Sequence, residues 1–80
     1  MKLYFENHLG VRRWIADCDT WKDVVECINK FINQANENKP IGASRFKSYY
    51  MRVWEEDGLT KIDVGSHTEF FYWEGKYPNE

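Results

Sequence analysis

The sequence predicts an α+β fold: a mainly antiparallel sheet of about five strands, in the order β-β-α-β-β-β, with one amphipathic helix packed on one face. Three observations lead there. One segment repeats apolar residues at spacings of three and four, the signature of a single helix. The segments around it alternate apolar and polar residues or are densely aromatic, as strands are. The chain has 80 residues, enough to close one core and not two, so these elements must share a layer pair.

Taken in order, KLYFEN is a strand with Leu3 and Phe5 on one face and Tyr4 on the other. Asn7 to Gly10 supplies turn residues. VRRWIAD then sets Val11, Arg13 and Ile15 against Arg12, Trp14 and Ala16, completing a hairpin. Trp21, Val24, Val25, Ile28, Phe31, Ile32 and Ala35 gather on one side of a helix, with Lys22, Asp23, Glu26, Asn29, Lys30 and Asn33 on the other. Asp19 or Thr20 caps its first turn, Asp23 adds negative charge at the positive helix end, and the Asn-rich stretch before Pro40 ends it. NKPIGAS is a loop. SYYMRVWEE alternates Tyr49, Met51 and Val53 with Tyr50, Arg52 and Trp54. An Asp-Gly turn at Asp57 and Gly58 leads into LTKIDVG, where Ile62 and Val64 share a face. Gly65 and Ser66 break or bulge that strand, and EFFYWEG is a last aromatic strand with Phe70 and Tyr72 opposite Phe71 and Trp73. Residues 1–80 form a single domain, with 76–80 as a frayed tail. There is no repeat, low-complexity tract or interdomain linker.

The composition, 42% hydrophobic and 30% charged, is that of a folded globular chain. Its 18% aromatic share concentrates buried area in few residues, one way for a short chain to offset its folding entropy. A net charge of -2 argues against a dedicated duplex-DNA binder, which carries a basic excess. Cys18 and Cys27 match no disulfide framework and no zinc spacing, and read as small packed residues. Without an apolar leader or a long apolar stretch, the expected location is a reducing cytoplasm with no membrane partner.

Function, if carried by residue chemistry, falls to the sheet face that one helix leaves uncovered. That face would hold some of Tyr4, Arg12, Trp14, Tyr50, Arg52 and Trp54. Trp, Tyr and Arg are the anchors that protein interfaces favour, so Trp14, Tyr50, Arg52 and Trp54 are candidate anchors, with the acidic turn Glu55, Glu56 and Asp57 as a charged rim. The same chemistry can stack single-stranded bases, which makes Arg12, Trp14, Arg45, Lys47, Tyr50 and Arg52 an alternative nucleic-acid set. Self-association into a homodimer is a third reading, and simple packing of these residues among themselves is the bland one. Ser66, His67, Thr68 and Glu69 hold a nucleophile, a base and a carboxylate, but neighbours on one strand point apart, so a turn or bulge is the better account. No catalytic residue, metal or cofactor is expected.

From Tyr49 through Trp73, and above all in YYMRVWEEDG and DVGSHTEFFYWEG, the chain resembles small proteins of phages that infect Gram-positive bacteria. That resemblance covers about a third of the chain and carries no functional residue with it. It implies a host-takeover or anti-defence factor, anti-CRISPR proteins included, acting in the cytoplasm of the bacterial host. Such a factor would be a stoichiometric inhibitor of a bacterial protein, for instance a nucleic-acid-processing or CRISPR effector enzyme.

Overall fold

A computed structural model describes residues 1–40, 42, 50–65 and 68–77. Its elements are β1 (Lys2–Glu6), β2 (Arg12–Asp17), α1 (Trp21–Glu37), β3 (Arg52–Glu56), β4 (Leu59–Asp63) and β5 (Phe70–Trp73). The strands make one sheet of order β2-β1-β5-β4-β3, antiparallel throughout, so the expected α+β class is the observed one. The hairpins β1–β2 and β3–β4 form locally, and the last strand joins them by inserting between β1 and β4. Composition explains that position. A central strand is covered on both faces, and FFYW has apolar surface for both. The edge strands β2 and β3 instead carry Arg12, Arg13 and Asp17, and Arg52, Glu55 and Glu56, charges that discourage edge-to-edge pairing.

The helix begins where the Thr20 hydroxyl accepts a hydrogen bond from the Asp23 backbone N–H at 3.2 Å, while the Asp23 carboxylate accepts from the Asp19 N–H at 3.3 Å. The first bond satisfies a donor that the first turn leaves open, and the second ties the residue before the cap to the same turn. Val24, Ile28 and Ile32 are its buried residues, and they meet Leu3, Phe5, Ile62, Val64, Phe71 and Trp73. Phe31 joins the sheet through Phe5 and Phe71, at ring-centroid distances of 4.6 and 5.7 Å. Trp73 is fully buried; its indole N–H donates to the Cys18 carbonyl at 3.0 Å, and its ring lies against Trp21.

Three details depart from the sequence expectation. Strict alternation in 11–17 fails, because Leu3 pairs with Ala16 while Tyr4 pairs with Trp14, leaving Ile15 as an extra residue. Ile15 and Ala16 therefore both pack against the core, and Trp14 stays on the opposite face. Among the described residues the third strand starts at Arg52, with Tyr50 and Met51 outside it: beyond the Arg52–Asp63 pair, Gly65 at φ 99° turns the facing chain out of the sheet. Toward the C-terminus, Lys76 pairs with Glu55 at 3.6 Å and Tyr77 packs on Trp21 at 4.5 Å, so contacts run through residue 77 of the stretch expected to fray. Ser48, Tyr49, Ser66 and His67 lie outside the described residues.

Candidate functional site

The sheet face opposite α1 is built by the alternation of five strands. Val53, Ile62, Phe71, Phe5 and Arg13 form a cross-strand row on the helix side. The neighbouring row, Trp54–Lys61–Tyr72–Tyr4–Trp14, therefore runs across all five strands on the open side. At about 4.8 Å per strand its two Trp residues stand on opposite sheet edges, roughly 19 Å apart.

The middle of this row is closed by its own side chains. The Lys61 ammonium lies 4.2 Å from the Phe70 ring centre, 5.4 Å from Tyr72 and 5.6 Å from Trp54, and pairs with the Glu56 carboxylate at 3.2 Å. Burial works against its charge, but hydrogen bonds to Tyr72 and Glu56 outweigh that and hold Lys61 above its ordinary range. The hydrogen bond from Lys61, with a second from the Trp54 indole, in turn holds Glu56 below the usual carboxylate range. Tyr72 is only 3% exposed although no helix covers it. The Arg12 guanidinium stacks 3.8 Å above its ring and is fixed there by Glu6 at 3.1 Å. The Tyr4 hydroxyl donates to Glu74 at 3.3 Å; the Lys2 backbone N–H, which donates to the same carboxylate, is the larger reason that Glu74 also titrates low.

The ends of the row remain open. Trp14 is 54% exposed and Trp54 37% exposed, and Tyr50, just before β3, is 41% exposed with the Arg52 guanidinium 5.4 Å from its ring. Arg52 reaches the buried Asp63 carboxylate at 2.8 Å, and that hydrogen bond raises its own pKa further. Asp63 also accepts from the Gly65 N–H at 2.8 Å, which fixes the turn out of β4.

Of the residues singled out from sequence, Trp14, Arg52, Trp54, Glu56 and Arg12 share the open face, with Tyr50 at its margin. Glu55 pairs with Thr60 on the helix side and bonds Lys76, while Asp57 sits at the hairpin tip with φ 56°. The three acids thus do not make one rim. Arg45, Lys47, Ser66 and His67 lie outside the described residues; Thr68 is exposed and Glu69 half-buried. Sequence reasoning passed over Lys61 and Tyr72, the centre of the row. Their signal was present: each lies one residue from a core position, Ile62 or Phe71, and so belongs to the opposite face.

Among the described residues, no group of three or more His, Cys, Asp or Glu side chains gathers as metal ligands, and no helix is long and apolar enough to cross a membrane. No family model, curated protein or solved structure matches the chain.

Proposed function

We propose that this chain is a non-enzymatic binding protein that docks its open sheet face on a protein partner, with Trp14 and Trp54 as anchors. The observation that carries this reading is the five-strand row itself, closed and rigid at Lys61 and Tyr72 and ending in an exposed Trp at each sheet edge. Aromatic anchors supported by ordered neighbours lose little side-chain entropy on binding, and both fit within a standard interface of about 800 Å² per partner. The cations of the face favour protein over single-stranded nucleic acid. Arg12, Lys61 and Arg52 are each bonded to a carboxylate, so a phosphate would have to displace Glu6, Glu56 or Asp63 to reach them. We propose further that the partner is a bacterial host protein and the outcome its inhibition, as a likeness of residues 49–73 to small phage proteins would imply.

The test is a tagged bait passed through bacterial lysate with and without nuclease, beside a Trp14→Ser/Trp54→Ser double variant. A stoichiometric protein should be retained by the parent chain, and each single Trp14→Ser or Trp54→Ser change should cost at least about 2 kcal/mol of its binding. Retention that disappears with nuclease would transfer the face to nucleic acid. Retention equal in parent and double variant would remove the two Trp residues from the interface.

A further inference from the structure

The two cysteines of the chain meet on the other side of the molecule. Cys18 follows β2 and Cys27 lies in the second turn of α1, yet Cys18 Sγ donates to Cys27 Sγ at 3.4 Å. Both are free thiols, Cys18 buried and Cys27 half-buried. A disulfide needs sulfurs about 2.05 Å apart, so closing this pair takes a shift of roughly 1.4 Å, within reach of side-chain rotation and small helix movement. Cys27 is also part of the wall of a groove of about 550 Å³ between β2 and α1. Phe31, Ala35 and Ile15 give that groove an apolar lining, Arg13 and Lys30 give it positive charge, and none of its described lining residues is acidic.

We propose that Cys18 and Cys27 are an oxidisable dithiol, and that an anionic low-molecular-weight disulfide entering the groove converts them to an intramolecular disulfide. The order of events follows from access. The Cys27 thiolate attacks one sulfur of the small disulfide, forming a mixed disulfide and expelling a thiolate, which takes up the proton that Cys27 released. Cys18, buried against Cys27 and out of reach of the reagent, then attacks Cys27 Sγ, its proton passing to the departing small thiolate as the Cys27 mixed-disulfide bond breaks. The Cys18–Cys27 bond forms and a second small thiol leaves. Two protein thiols have been oxidised by two electrons, and one small disulfide has been reduced to two thiols. The charge of Arg13 and Lys30 selects the reagent, concentrating anions at the groove mouth. The product ties the end of β2 to α1 at the residue whose carbonyl holds the Trp73 indole, and so clamps helix to sheet beside the core.

Oxidised glutathione is the probe, applied to the folded chain, with acid quenching and intact mass as the readout. The parent chain should lose two hydrogens without retaining an adduct, and its melting temperature should rise by about 5 °C, reversed by dithiothreitol. Cys18→Ser should stop at one glutathionyl group on Cys27, whereas Cys27→Ser should leave the buried Cys18 unmodified in the folded state. With each rate divided by that of the urea-unfolded chain, oxidised glutathione should outpace the cationic disulfide cystamine roughly tenfold at low salt. That preference should vanish at high salt, a check that needs no variant. A parent chain that never loses two hydrogens, or a Cys27→Ser chain modified as fast as the parent, overturns the dithiol. Equal normalised rates for the two reagents at low salt overturn the role of the groove.

Discussion

At the scale of single residues the fold depends most on Trp73, which joins three elements by itself. Its ring fills the core, its indole N–H occupies the carbonyl of Cys18, and Trp21 covers it from α1. Gly75 lies over the same ring: a Cβ there would sit 2.3 Å from Trp73 Cζ2 and 2.5 Å from Cη2. The ring is walled in and cannot give way, and the Gly75 carbonyl is itself held by the Thr60 hydroxyl at 2.7 Å. Gly75→Ala is therefore expected to cost about 1–3 kcal/mol in urea unfolding. Trp73→Phe is expected to cost about 3 kcal/mol, since it opens a cavity and leaves a buried carbonyl without its donor. The two changes must not add. Phe lacks the outer ring atoms that Gly75→Ala would strike, so in the Trp73→Phe background the glycine change should cost less than half as much. Equal costs in both backgrounds would show that the contact does not decide the choice of glycine. Sequence reasoning placed Trp73 on the aromatic last strand but had no access to Gly75, because the approach of a backbone to a ring three-dimensionally above it has no local pattern.

At the scale of elements, legibility followed the strength of the local signal. The helix was readable almost to the residue, because apolar periodicity and the Thr20 cap both act within a few residues. The β3–β4 hairpin was readable for the same reason. Asp57 and Gly58 take φ of 56° and 79°, the pair of positive values that a two-residue turn between right-twisted strands needs. Both signals yield to single changes: Thr20→Ala should lower stability by about 1 kcal/mol through the lost cap. Gly58→Ala should lower it by about 1 kcal/mol through the left-handed conformation forced on a Cβ. Chemical denaturation of the two variants measures both, and a Gly58→Ala cost near zero would mean that the turn relaxes to another type. The irregular second strand was the element misread. Its slip at Ile15 is imposed by β1 and the core, which take Ile15 and Ala16 together, so no alternation within 11–17 could announce it. The site was half legible: Ile62 and Phe71 beside them put Lys61 and Tyr72 on the open face, but only the register sets them between Trp54 and Trp14.

At the scale of the whole molecule the open face and the thiol pair make stability depend on pH from both sides. Glu56 and Glu74 titrate below their ordinary range in the folded chain, so the unfolded chain binds their protons first. Their contribution is complete above about pH 5 and is lost as the pH falls through the lowered folded values. The alkaline side has an earlier onset than lysine chemistry alone would give. Lys61, raised by its partners, loses its contribution only as the pH climbs past about 10.4 and through its folded value. Cys18 acts sooner. Burial first, and then the hydrogen bond and negative charge of Cys27, push its thiol up to about 12, whereas an unfolded cysteine ionises near about 8.5. Between those values the unfolded chain gains an ionisation that the folded chain refuses, so stability is complete below about pH 8.5 and declines toward pH 12. Under reducing conditions, urea midpoints should therefore fall on both flanks of a plateau. Cys18→Ala should lower the whole curve by a constant packing cost and remove the decline between about pH 8.5 and 10. Glu56→Gln should leave that alkaline limb in place and make the acid one shallower, the remainder belonging to Glu74. A Cys18→Ala curve that parallels the parent at every pH would assign the alkaline loss to Lys61, and would leave the thiol pair without electrostatic weight in the fold.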